Sequence, residues 1–338
     1  MNFITKIYKE EKHVSNLSKE DLCEVLKQQS LSDNDIKKIN EKIDAGKRVE
    51  QAVCENNYDF DIKQVVVVCC PNVFSKKDIK RNSVTREQVF AGMMKGNAIG
   101  LPYNTVKKKT SEIVDRGISL NNSEVGERAY LILAVKSAIE ENSDKPNFKK
   151  HFALINEKVP SKNLLPMYAD RCSQPSNLAA CATAYIGACY EDVRTVILKT
   201  VECASILNRH RDSIIGAVVS AVSIWMALHN YSDKEIYEYG QKMYSKKEEK
   251  YLYLFDRQDM FETIRSAKNY SLPLGAYYSN YASVTVPLAI KMFYETKSFK
   301  ECMFEFAKKY GDVEAYCTIA GGLATAYYDG DISLSEEL

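Results

Sequence analysis

The sequence carries almost no net charge, with 46 Lys and Arg against 45 Asp and Glu for a formal charge of +1. No global field therefore steers the chain toward nucleic acid or a membrane surface. The basic clusters that do occur are Lys76-Lys77, Lys107-Lys108-Lys109 and Lys246-Lys247, and they read as solvated faces. Long apolar runs are also missing. Runs such as Val65 to Cys70 are far too short to span a bilayer. Met1 leads into Asn2-Phe3-Ile4 and a charged stretch, without the apolar segment that secretion needs, so a cytoplasmic location with no membrane partner is expected. The 10 cysteines follow no repeated spacing, and the adjacent pair Cys69-Cys70 cannot form a two-residue-spaced zinc knuckle. They read as reduced core thiols. No signature recurs at roughly 30 to 45 residues, which disfavours a helical solenoid.

What is present is ordinary for a globular chain. Its 338 residues are 45% hydrophobic and 27% charged, enough for one large domain with a smaller companion. Residues 1–84 read as a small N-terminal appendage. Ser18 precedes Lys19-Glu20-Asp21 in the manner of a helix cap, and Leu22, Val25 and Leu26 then share a face. Ser32 and Asp35 repeat the pattern before Ile36, Ile39 and Ile43, with Gly46 as the stop. A third short helix is expected near Val49 to Cys54. Ile62 to Cys70, β-branched and bounded by Asp61 and Pro71, reads as a strand that needs a partner.

From Thr85 the pattern turns almost purely helical. Thr85 and Gln88 form a capping box ahead of a helix that runs through Val89, Met93 and Ala98 toward Gly100-Leu101-Pro102. Further helices are expected over Val125 to Ile139, Leu178 to Ala188, Val193 to Ile206, Asp212 to Leu228 and Asp233 to Tyr244. The last third adds Met260 to Ala267, Val286 to Glu295, Phe299 to Lys308 and Glu314 to Tyr328. Asn142 to Lys150 and Ser245 to Tyr253 read as charged loops. Inner faces rich in small residues, such as Ala179, Ala180, Ala182 and Ala184, or Ala315, Ala320, Gly321, Gly322 and Ala324, let helix axes approach closely. The expected fold class is all-α: a compact orthogonal multi-helix bundle over residues 85–338.

Three stretches in order give this bundle a family likeness. The first is Gly92-Met93-Met94-Lys95-Gly96-Asn97-Ala98-Ile99-Gly100-Leu101-Pro102. The second is Asn208-Arg209-His210-Arg211-Asp212-Ser213-Ile214-Ile215-Gly216-Ala217. The third joins Ser283-Val284-Thr285-Val286-Pro287 to Tyr310-Gly311-Asp312-Val313-Glu314-Ala315 and Ile319-Ala320-Gly321-Gly322-Leu323-Ala324-Thr325. Together they resemble the ADP-ribosylglycohydrolase family. That family's first helix ends in Gly-Asp-Ala-Leu-Gly, and its last opens on Gly-Gly-Asp-x-Asp-Thr.

The resemblance implies hydrolysis of an ADP-ribosyl bond beside two magnesium ions, hard cations that take oxygen ligands. The metal-ligand candidates it implies are Ser123, Glu124, Asp312 and Glu314, and zero to two ions are expected on them. Asp312 stands for the first late Asp, Glu314 replaces the second, and Ala315 replaces the Thr. The early Thr-Asp-Asp-Thr segment falls at Ser123-Glu124-Val125-Gly126, where Val125 and Gly126 have no side-chain oxygen, and Glu127 is a candidate substitute. Glu124 and Asn104 stand at the candidate catalytic positions, but an amide cannot act as a general base. Gly96, Asn97, Gly100, Ser176, Asn177 and His210 are the candidate ligand-binding residues. Each also has a structural reading. Asp312 and Ser176-Asn177 sit where helix caps belong, Glu314 and Glu124 suit a helix N-terminus, and His210 suits surface or packing.

The favoured function is a divergent member with a degraded magnesium site, which binds an ADP-ribose-like ligand, an ADP-ribosylated protein or another protein partner without efficient hydrolysis. The alternative is an active magnesium-dependent hydrolase using Glu124, Glu127, Asp312 and Glu314. A third reading, a helical interaction protein, rests on the 22 tyrosines, with clusters at Tyr277-Tyr278-Tyr281 and Tyr327-Tyr328.

Overall fold

A computed structural model describes residues 80–104, 123–158, 176–208, 210–244, 280–309 and 311–334, together with Lys37, Asn40, Glu41 and Asp44. The described residues contain α-helices and short 3₁₀ turns, and no strand. In chain order the helices are α1 (Arg86–Gly100), α2 (Glu127–Glu141), α3 (Phe148–Lys158), α4 (Leu178–Thr183) and α5 (Val193–Leu207). They continue with α6 (Arg211–Leu228), α7 (Asp233–Tyr244), α8 (Ala282–Glu295), α9 (Phe299–Ala307) and α10 (Val313–Tyr327). The all-α expectation holds. The strand expected over Ile62 to Cys70 and the helix over Met260 to Ala267 lie outside the described residues, as does almost all of the appendage.

The bundle is organised around α1 and α10. The Thr85 side chain accepts from the Gln88 amide at 3.2 Å while the Gln88 side chain accepts from the Thr85 amide at 2.9 Å, so the capping box forms as the sequence predicts. Gly92, Gly96 and Gly100, spaced four apart, share one face of α1. That face meets α10 backbone to backbone. A β-carbon on Gly96 would lie 2.1 Å from the Cys317 carbonyl oxygen, and one on Gly100 would lie 2.5 Å from that of Val313. From the other side, a β-carbon on Gly321 would lie 2.6 Å from the Gly92 carbonyl. The two helices can cross this closely because the contact stripe has no side chains.

Beside this pair, α6 is buried from Asp212 to Leu228, as expected of a helix apolar on all sides. Segment 81–84 is pinned to the same body. The Asn82 amide donates to the Leu228 carbonyl at 2.7 Å, its side chain donates to Ala326, and Val84 is buried.

One whole helix, α3, and two boundaries differ from expectation. Asn142 to Lys150 is not wholly loop, because α3 starts at Phe148. The Asn147 side chain accepts from the Lys150 amide at 3.0 Å, and Phe148 and Phe152, one turn apart, bury in the core. The helix expected from Leu178 to Ala188 tightens into a 3₁₀ turn at Ala184–Ala188, where Gly187 crosses the backbone of Ala221 on α6. Finally, α8 begins one turn before Val286 and carries Pro287 in its interior. Burial of every residue from Ala282 to Ile290 outweighs the hydrogen bond that proline removes.

Candidate functional site

The ends of five segments converge on one buried polar cluster. Asp312 precedes α10, and Glu314 and Thr318 lie on successive turns of that helix. Asn97 comes from the last turn of α1, and Asn104 follows its short 3₁₀ extension. Gly126 and Arg128 flank the start of α2, Asn177 precedes α4, and Thr285 lies in the first turn of α8. The close α1–α10 crossing makes the cluster possible, since it brings Asn97 and Glu314 within hydrogen-bond reach.

Arg128 is the centre of the arrangement. Its Nη2 pairs with Asp312 Oδ2, and its Nη1 pairs with Glu314 Oε2 at 3.0 Å. The three side chains are 14%, 2% and 6% exposed, so this is a buried ion triad. Amides complete it. Asn177 Nδ2 donates to Asp312 Oδ2 at 2.8 Å and to Thr285 Oγ1 at 2.9 Å, while its Oδ1 accepts from Arg128 Nη2 at 3.1 Å. Asn104 Nδ2 donates to Asp312 Oδ1 at 3.1 Å. Asn97 Nδ2 donates to Glu314 Oε1 at 3.0 Å and to Thr318 Oγ1 at 3.1 Å, while its Oδ1 accepts from the Gly126 amide at 2.7 Å. A backbone N–H and a guanidinium can only donate, so they fix which way Asn97 and Asn177 face. Both turn N–H groups toward the carboxylates.

Gly126 lies close against the Glu314 carboxylate, so a larger residue there would displace it. A β-carbon there would lie 2.2 Å from Glu314 Oε1. Burial pushes the Asp312 carboxyl above the ordinary aspartate range, and the neighbouring Glu314 charge adds to that; Arg128 and Asn177 pull it back. Beneath the cluster, burial likewise pushes up the thiol of Cys181, which faces the Ala315 carbonyl.

The sequence candidates separate into groups. Asp312, Glu314, Asn97, Asn104 and Asn177 meet in the cluster. Asp312 and Asn177 occupy cap positions, but their side chains hydrogen-bond within the site, and for Asp312 the Ala315 amide, three residues on, adds its pull on the carboxylate. Ser123 and Glu124 are exposed. Gly96 and Gly100 face α10, as described above. The Ser176 hydroxyl accepts from the Leu178 amide at 3.2 Å, and its own amide donates to Ser213 Oγ on α6 at 2.7 Å. His210 caps α6, with Nδ1 accepting from the Asp212 amide at 3.2 Å.

Sequence reasoning missed Arg128, Thr285 and Thr318 as site residues. An arginine in the second position of a helix looks like any exposed charge until its partners, more than 180 residues away, are known. Among the described residues no group of three or more His, Cys, Asp or Glu side chains is placed to hold a metal. The two carboxylates of the cluster face one cation and several N–H donors.

Compared with known families, residues 89–332 match the family model described as ADP-ribosylglycohydrolase. Among solved structures, the chain is similar to an "ADP-ribosylglycohydrolase-related protein complex". The two superpose with a TM-score of 0.56 at 16% identity, over 72% of this chain and 86% of that one. At that identity the likeness is one of fold. A search of curated proteins finds no match.

Proposed function

The chain belongs to the ADP-ribosylglycohydrolase family, and on that premise we propose that it binds an ADP-ribose-like ligand, free or attached to a protein, without hydrolysing it efficiently. The observation that carries this reading is the set of partners around Asp312 and Glu314. Asn97 and Asn104 stand where the family resemblance expects an acid, and both present N–H groups to those carboxylates. An amide in that orientation cannot accept a proton from an attacking water. The carboxylates themselves are both paired with Arg128 rather than held open as ligands.

The retained architecture supports binding. Five helix ends meet in one cluster within the span that matches the family, and a ligand would meet that cluster at its half-buried members, Asn104 and Arg128, since Asn97, Asn177, Thr285 and Thr318 are fully buried behind them. Calorimetry with ADP-ribose on EDTA-treated protein tests the proposal. Saturable binding without added metal is expected, together with no release of ADP-ribose from ADP-ribosyl-arginine or ADP-ribosyl-serine substrates. Magnesium-dependent release with multiple turnovers would refute it.

A further inference from the structure

We infer that the Arg128 guanidinium is a built-in cation that takes the place of divalent metal between Asp312 and Glu314, so that the site is complete without metal and closed to it. The inference deepens the reading above and rests on the same two carboxylates. It does not depend on whether ADP-ribose is the ligand.

The geometry is specific to a guanidinium. One terminal nitrogen serves Asp312 and Asn177 Oδ1, while the other serves Glu314 at 3.0 Å. A planar fork with fixed donor directions holds both carboxylates at once, which a single ammonium group would do poorly. The group is 14% exposed, so an incoming ion would have to expel a packed side chain from the cluster before reaching either carboxylate.

The surrounding amides match a cation of one charge. A divalent pair brings four positive charges and needs acids around it, whereas Arg128 brings one. Asp312 and Glu314 already exceed that single charge, and a further acid, buried at 97 or half-buried at 104, would stand against them uncompensated. Amides at both positions remove that excess and donate hydrogen bonds to the same oxygens. Gly126 belongs to the same arrangement. Its lack of a side chain lets the start of α2 lie against Glu314, and its amide is held by Asn97 at 2.7 Å, which places Arg128 two residues further on, about half a helical turn round.

The test is a manganese titration followed by electron paramagnetic resonance on the EDTA-treated full chain, with melting curves in the presence and absence of millimolar magnesium. The wild type is expected to show no saturable manganese binding and no magnesium-dependent shift in melting. Arg128→Ala and Arg128→Ser empty the space between the carboxylates. Folded, as judged by circular dichroism, they are expected to bind one manganese ion through water and carboxylate ligands and to melt higher with magnesium. Adding Asp312→Asn should abolish both effects.

A folded Arg128 variant that stays silent to manganese overturns the inference. So does saturable manganese binding by the wild type that Asp312→Asn removes. Should neither Arg128 variant fold, the wild-type titration decides alone, silence supporting the inference and Asp312-dependent binding overturning it. ADP-ribose calorimetry on the same preparations separates the two proposals, since metal exclusion can hold where ligand binding fails.

Discussion

Replacing Gly96 with alanine tests whether the α1–α10 crossing sets the site. In an exposed helix this change would stabilise by about 1 kcal/mol, because alanine restricts the unfolded chain and is the better helix former. Here the new methyl would stand 2.1 Å from the Cys317 carbonyl oxygen and 2.8 Å from its carbon, and both are backbone atoms of a buried helix. Neither can rotate away, so the helices must separate. Overpacking of this kind costs roughly 3 kcal/mol at the upper end of the usual range. Set against the propensity gain, the net loss is about 2 kcal/mol, or roughly 4 to 8 °C in melting temperature for a domain of this size.

Gly322 supplies the control. It too is buried in a helix, but its β-carbon would first meet Met93 Cγ at 2.6 Å, a flexible side chain that can repack. Thermal and urea melts of Gly96→Ala and Gly322→Ala should rank the first well below the second. Because Asn97 adjoins Gly96, the first variant should also weaken the Asn97–Glu314 hydrogen bond and any ligand affinity that depends on it. A Gly96→Ala protein as stable as the wild type would refute the backbone-contact account of the crossing.

Asn97→Asp should destabilise the fold by about 2 kcal/mol or more, since it sets a carboxylate against Glu314 Oε1 and removes a buried donor from Thr318. Urea melts measure the loss, and a neutral result would mean that the cluster tolerates a third acid. Arg128→Lys should melt between the wild type and Arg128→Ala, because an ammonium keeps the charge but serves one carboxylate well instead of two. Equal stability of Arg128→Lys and wild type would argue against the forked pairing. Cys181, Cys203, Cys302 and Cys317 are buried, and burial pushes the Cys302 thiol up to about 12. Peptide mapping after iodoacetamide at neutral pH should find these four unlabelled in the native protein and labelled after denaturation, and rapid native labelling would contradict their placement.

Much of the architecture was legible in the chain because it follows from local chemistry. The Thr85–Gln88 box, the apolar period of α5 and α6, and the charged start of α7 each specify a helix from neighbouring residues. Where prediction slipped, distant contacts had intervened. Pro287 suggested a helix start that burial overrode, and Asn147 with Phe148 opened a helix inside a segment that composition marked as loop. Most of the polar cluster could also be anticipated. Asp312, Glu314, Asn97, Asn104 and Asn177 stand at positions marked by the family resemblance or by helix-start chemistry.

The sequence by itself determined the helix positions, the small-residue stripes and the departure of Asn97, Asn104 and Ala315 from the family pattern, because these are properties of residue type and spacing. Only the tertiary structure decided what those departures amount to. It turns the Asp312 and Asn177 side chains into the site, turns Gly96 and Gly100 toward α10, and leaves Ser123 and Glu124 exposed. Above all, it places Arg128 between two carboxylates far away in the chain. No local pattern encodes that pairing, since an ion pair depends on where the backbone brings two charges together and not on how either one is spaced in the sequence.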